Sequence, residues 1–304
     1  MRGRLALILG ALVLSPLGRA AAEGPTVVRD VLPGGLRLLV RYDPNPQVVT
    51  VSLQVRSGAR YDTPETAGLG NLVQRVMIRG TARRSARQIV EAAEDIGGSL
   101  EASADVEHAE IRGGALALHA RTLLDLIAEV ALSPAFPPDE VERERRLVMS
   151  QIQTRAETPF ALALDALTAQ LYGLHPLALP TLREEQGLAY SLGMVNPARR
   201  NPASFVAYIA TSEHAESGLR QEIERFRADG PSAAEVARAK AYVLGNLAMD
   251  RRTNARHAWY LAFFELAGFG WDYPERYARA LEAVSVPDVT RVAHRYLANP
   301  ARSW

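Results

Sequence analysis

The chain has 304 residues, 48% of them hydrophobic and 23% charged, with a net charge of +1, which is the composition of an ordinary globular protein of about two domains. Acids and bases nearly balance, Lys240 is the sole lysine, and no basic block stands unopposed, so the charge pattern excludes a nucleic-acid footprint. There is no cysteine, which excludes stabilisation by disulfides in any compartment.

The first residues read as an export signal. Arg2 and Arg4 form a charged start, residues 5–17 a short apolar run, and Ala20-Ala21-Ala22 a small-residue cleavage site. The run is short for a membrane span, and no later stretch approaches one. We therefore expect cleavage after Ala22, a mature chain beginning at Glu23 and a bacterial periplasmic address. An uncleaved N-terminal anchor is the alternative.

Residues 27–32 and 36–42 flank Pro33-Gly34-Gly35, a hairpin signal. Val49, Val51, Leu53 and Val55 alternate with polar residues, as in a strand with one buried face. A polar loop over 58–66 leads to Gly68-Leu69-Gly70-Asn71-Leu72-Val73-Gln74-Arg75-Val76-Met77-Ile78-Arg79-Gly80-Thr81. Leu69, Leu72, Val73 and Val76 recur at helical spacing and predict the buried stripe of a helix. Asn71, Gln74 and Arg75 share a neighbouring face at i, i+3 and i+4. Ser85 and Gln88 form a capping box for a second helix that stops at Gly97-Gly98. Two strands follow over 99–105 and 109–118, then helices over 121–132 and 138–155. The second of these has Asp139, Glu140 and Glu142 near its positive end.

The spacing of Asn71, Gln74 and Arg75 is that of His-x-x-Glu-His in inverted zinc peptidases, where two imidazoles bind the metal and a carboxylate acts as base. The stretch 68–81 resembles the insulinase/pitrilysin (M16) family of peptidases, whose corresponding run is Gly-Leu-Ala-His-Leu-Leu-Glu-His-Met-Leu-Phe-Lys-Gly-Thr. Set against it, Asn71 and Arg75 stand at the two histidine positions and Gln74 at the base. Family members also carry two glutamates seven residues apart on the later helix, the second being the third zinc ligand. Glu144 matches the first, and Gln151 stands at the ligand position. An amide oxygen is a poor zinc donor, a guanidinium is a fixed cation where a dication would bind, and glutamine has no proton to exchange. The resemblance thus implies the frame of a zinc site without its chemistry. No metal is expected in this chain, and Glu144, if it points inward, would pair with Arg75.

Thr158-Pro159 opens a further helix, and Tyr172-Gly173 with His175-Pro176 is similar to the family's Tyr-Gly-x-His-Pro. From Leu182 onward the chain resembles the latter half of the family's second domain. The resemblance implies that Arg183 and Tyr190 reach a zinc centre, bind substrate backbone and stabilise the oxyanion, work suited to a guanidinium fork and a phenol donor. A helix-surface arginine and a strand-start tyrosine are the plain alternative. Residues 205–211 read as a strand, and 217–228, 236–249, 253–268 and 285–297 as helices, with a capping box at Ser232 and Glu235. Trp259, Tyr260, Phe263 and Phe264 read as core in preference to a ligand cage.

The resemblance implies an α+β fold of two-layer domains, antiparallel or mixed sheet packed with helices. We divide the chain into a signal peptide over 1–22, an N-terminal domain over 23–181 and the second half of a homologous domain over 182–304, with an internal deletion near 179–182 or, as the alternative, a genuinely compact variant. The function implied is a non-catalytic subunit lending peptide binding and oxyanion stabilisation to a paralogue that carries His-x-x-Glu-His and the zinc. Its partners would be that paralogue and peptide substrates, with no nucleic acid and no membrane span after signal cleavage. A scaffold without a peptidase role, and a truncated remnant, are the alternatives.

Overall fold

A computed structural model of the chain describes residues 26–43, 47–63, 65–158, 161–164, 166–167, 192–195, 206–209 and 215–298. In chain order the first elements are β1 (Val27–Val31), β2 (Arg37–Arg41), β3 (Val48–Val55), α1 (Leu69–Met77), α2 (Ala86–Glu94), β4 (Ser99–Ala104) and β5 (Ala109–Leu116). After these come α3 (Ala120–Leu132), α4 (Pro138–Ala156), β6 (Leu192–Val195), β7 (Val206–Ile209) and α5 (Ala215–Asp229). The last are α6 (Ala233–Asp250), α7 (Asn254–Ala267), α8 (Tyr273–Ala283) and α9 (Val286–Tyr296). This mixture of helices and small antiparallel sheets is the α+β class expected. The described residues group into two compact units, neither continuous in sequence. One takes the chain up to Ala59 with Gly68–Leu147 and Arg251–Asp272, and the other takes Arg60–Ala67, Val148–Asp250 and the chain from Tyr273. The expected boundary between Thr181 and Leu182 lies outside the described residues.

In the first unit, β1 and β2 pair antiparallel with Val31 opposite Arg37. Their turn places Gly34 at φ 102° and Gly35 at φ 86°, a conformation that residues with a Cβ rarely adopt. A separate three-stranded antiparallel sheet has the order β3-β5-β4. One face carries Val49, Val51, Leu53, Leu100 and Ile111 against a core of Ile89, Ile96, Leu123, Ile127 and Val130, contributed largely by α2 and α3. Leu123 and Val130 are fully buried. The capping box that starts α2 forms as expected: Gln88 N donates to Ser85 Oγ at 3.4 Å and Ser85 N to Gln88 Oε1 at 2.9 Å.

The alternation in β3 predicts one buried face, yet the polar face is covered too. There Ser52 Oγ donates to Glu110 Oε1 at 2.5 Å, and Gln54 Nε2 donates to Ser52 Oγ at 3.2 Å. Helix α7, from the far end of the sequence, packs on β3, and the buried His108 meets Phe263 and Trp259 edge-on at ring-centroid distances of 5.3 and 6.1 Å. Trp259 and Phe263 stack at 4.6 Å, so this part of the aromatic cluster is core. Polar side chains here bond one another beneath a helix, which an alternating pattern cannot distinguish from a wet face.

In the second unit, β6 and β7 form an antiparallel pair with Leu192 opposite Ile209. Helix α5 ends at Gly230, at φ 69°, where a Cβ would lie 2.4 Å from Thr290 Oγ1 of α9. Lys240 Nζ of α6 donates to the Glu282 carbonyl at the end of α8, at 2.9 Å. Helix α8 has no counterpart in the sequence reading. No helix among the described residues is long and apolar enough to cross a membrane.

Candidate functional site: a zinc-site frame held by arginine

Helix α1 starts from Gly68, at φ 85°, whose carbonyl accepts from Leu72 N at 3.0 Å. Its buried residues are Val76, 1% exposed, and Gln74, with Leu72 and Val73 half-buried. Leu69 corrects the expected stripe: as the first residue of the helix it lies beyond the neighbouring layer and is 52% exposed. Asn71, Gln74 and Arg75 do share one side of the helix, and Arg75 Nε donates to Asn71 Oδ1 at 3.0 Å, an i,i+4 contact.

Helix α4 brings Glu144 to the same place. Its neighbours Glu140 and Glu142 make solvent-facing pairs with Arg143 and Arg145 one turn on, at 3.1 and 2.9 Å. The hydrogen bond from Arg145 holds the Glu142 carboxyl below its ordinary range. Glu144 differs in being 1% exposed, which makes it the acid of this helix that needs a partner from elsewhere in the fold. Arg75 Nη1 lies 3.7 Å from its Oε2, and Arg79 Nε donates to its Oε1 at 2.9 Å. The Arg75–Glu144 pair is the one the sequence suggests if Glu144 faces inward. Arg79 was not foreseen, although its position four residues beyond Arg75 is the signal that would have found it.

Sequence reasoning also missed what holds the end of the frame. Thr81 Oγ1 donates to Glu129 Oε1 of α3 at 2.6 Å and accepts from the backbone N–H groups of Arg83 and Arg84 at 3.1 and 2.9 Å. Arg84 pairs with the other oxygen of Glu129. Thr81 thereby fixes the loop that leaves α1.

Gln151 stands two helical turns beyond Glu144 on α4, half-buried, in the part of the helix that belongs to the second unit. Arg183 and Tyr190 lie outside the described residues, as does His175.

The donors do not fit a zinc ion. Asn71 gives its side-chain oxygen to Arg75, Glu144 gives both of its oxygens to guanidinium groups, and Arg75 is a permanent cation within the frame. Gln74 is 7% exposed with Oε1 unpartnered, and an amide cannot take a proton from water. Among the described residues no group of three or more His, Cys, Asp or Glu side chains is placed to hold a metal.

Asn71, Gln74, Arg75 and Glu144 stand where the sequence resemblance puts a zinc centre, and their side chains bond one another or lie buried. The family model for insulinase (peptidase family M16) matches residues 37–185. An uncharacterized zinc protease of Mycobacterium bovis is 31% identical over 175 residues, which cover 58% of this chain and 40% of that protein. A probable mitochondrial-processing peptidase subunit alpha-2 of Arabidopsis thaliana is 28% identical over 241 residues, covering 78% of this chain and 48% of the relative. The chain thus spans less than half the length of these relatives. Two solved structures share the fold. A peptidase M16 inactive domain from Pseudomonas fluorescens has a TM-score of 0.78 at 15% identity, over 89% of this chain and 95% of that one. A Helicobacter pylori protease has a TM-score of 0.74 at 13% identity, over 90% of this chain and 96% of that one. Residues 37–185 thus match the insulinase (M16) peptidase family, and the chain shares the fold of solved M16 domains.

Proposed function

We propose that the chain is a non-catalytic subunit of an exported insulinase-family zinc peptidase, working beside a paralogue that keeps His-x-x-Glu-His and the metal. The observation that carries this reading is Arg75 bonded to Asn71 and paired with the buried Glu144, at positions where the resemblance puts zinc ligands and base. A frame retained while its chemistry is lost fits a chain that acts through a partner. In this reading Arg183 and Tyr190 reach the partner's centre, hold the peptide backbone and stabilise the tetrahedral oxyanion, a task for donors already in position when charge develops. The chain itself holds no zinc and cleaves no peptide alone. Export through residues 1–22 would bring both subunits to the periplasm.

The test is the peptidase activity of the partner with and without this chain, beside an R183A/Y190F variant. The wild-type chain stimulates cleavage and the variant loses most of that stimulation, since one oxyanion donor alone is worth on the order of a hundredfold in rate. If neither folded protein changes the rate, the subunit role fails and a scaffold takes its place.

A further inference from the structure

Glu144 is an acid removed from water, and a buried carboxylate is tolerated only when compensating charge lies against it. Here two guanidinium groups supply it, one on each carboxylate oxygen: Arg79 Nε at 2.9 Å from Oε1 and Arg75 Nη1 at 3.7 Å from Oε2. Both arginines come from α1 and the turn after it, while the acid comes from α4, so the charge contact also joins the two elements.

We infer that Arg75 and Arg79 are the built-in cation of this site, which neutralises Glu144, locks α1 to α4 and closes the frame to metal ions by charge. Three features support it. Arg75 is held by Asn71 Oδ1 at 3.0 Å, so the residue at the first ligand position serves the guanidinium. Gln74 is neutral and buried, whereas a carboxylate in its place would add a second buried anion beside Glu144. Arginine does not deprotonate in proteins, so no ordinary change of pH can turn this cation into a ligand, as it would a histidine. The inference goes beyond the proposed subunit role and holds whether or not the chain serves a partner.

The experiment compares melting temperatures of the full chain with those of R75M, R79M, R75M/R79M and R75M/R79M/E144M, each with and without zinc chloride. Each single variant keeps one guanidinium on Glu144 and melts slightly low. The double variant strands a buried anion and falls by on the order of 10 °C, more than the singles combined. Removing the acid as well restores most of that loss, because an all-apolar replacement has no charge to compensate. Zinc leaves the wild-type melting temperature unmoved. Strict additivity of R75M and R79M, failure of E144M to rescue, or a rise in the wild-type melting temperature with zinc would each overturn the inference. Should R75M/R79M be insoluble, a soluble triple variant supports it, and an insoluble one overturns it.

Discussion

Arg29 and Glu265 stand 236 positions apart and are joined by two hydrogen bonds, Nε and Nη2 of the guanidinium donating to one carboxylate oxygen at 3.1 and 2.9 Å. Arg37 Nη1 donates to the Glu265 carbonyl at 3.1 Å, and Arg56 Nη2 donates to the Leu266 carbonyl at 2.8 Å. Three arginines from β1, β2 and the end of β3 thus meet the last turn of α7, where orphan carbonyls and the helix dipole favour cations. This cluster and the stack of Trp259 and Phe263 beside His108 make α7 a structural part of the first unit.

Glu265→Ala removes the shared acceptor while leaving the carbonyl contacts in place. Arg29 and Arg37 are partly exposed and regain water, so the cost is about 1–2 kcal/mol, below that of a fully buried pair. Urea unfolding followed by tryptophan fluorescence reads the change, since Trp259 lies on the same helix. An unchanged midpoint would show that the stacked rings alone hold α7 on the sheet.

Glycines at the sheet give a graded series. A Cβ on Gly98 would lie 1.8 Å from the Gly114 carbonyl oxygen and 3.0 Å from Ala115 Cα, both backbone atoms that cannot swing away. Gly98→Ala therefore parts β4 from β5 and costs more than about 4 kcal/mol, the range of exceptional substitutions. At Gly113 the nearest atom is Leu123 Cδ1, at 2.7 Å, the far end of a side chain, and alanine costs about 1–3 kcal/mol as overpacking. At Gly114 the nearest atom is Val49 O at 3.8 Å, so alanine is close to neutral. Thermal melts of the three variants rank them in that order. Equal effects at 98 and 114 would mean that the two strands are not packed this closely.

How far these relations were legible depends on their span in sequence. The turn at Gly34-Gly35, the capping box at Ser85 and Gln88, and α7 itself were readable because their signals lie within a few residues. The cover over Ser52, Gln54 and Glu110 was not, because it comes from α7 about 200 residues later and polar residues beneath it look like a solvent face. Leu69 was misread because periodicity says which side of a helix is apolar, and not where the neighbouring layer ends. Helix α8 escaped notice because its one buried residue is Pro274, in its first turn, which leaves little apolar stripe to see. At the site, the spacing of Asn71 and Arg75 made legible that they share one side of α1. The burial of Glu144 decides what they do, and burial of a glutamate has no local signal.

The remaining prediction concerns acid. Ser232 N and Oγ donate to Glu235 Oε2 at 2.8 and 2.7 Å, and Glu235 N donates to Ser232 Oγ at 3.2 Å, a reciprocal cap at the start of α6. Asp288 and Ser285 repeat the arrangement at α9, at 3.1 and 2.5 Å. The bond from the Ser232 backbone and then that from its hydroxyl lower the Glu235 pKa from 4.5. The Ser285 hydroxyl and then its backbone N–H lower that of Asp288 from 3.8. Because the folded values lie below the unfolded ones, each carboxylate contributes stability above its ordinary pKa and loses it as pH falls through the depressed value. Helical circular dichroism and melting temperature should therefore decline below pH 4.5, and an E235Q/D288N variant, with amides that keep an acceptor oxygen but no charge, should show a shallower acid limb. Carboxyl titrations by NMR provide the direct check: both groups should titrate below 4.5 and 3.8 respectively. Values at or above these would mean that the caps are open in solution and that both helix starts depend on packing alone.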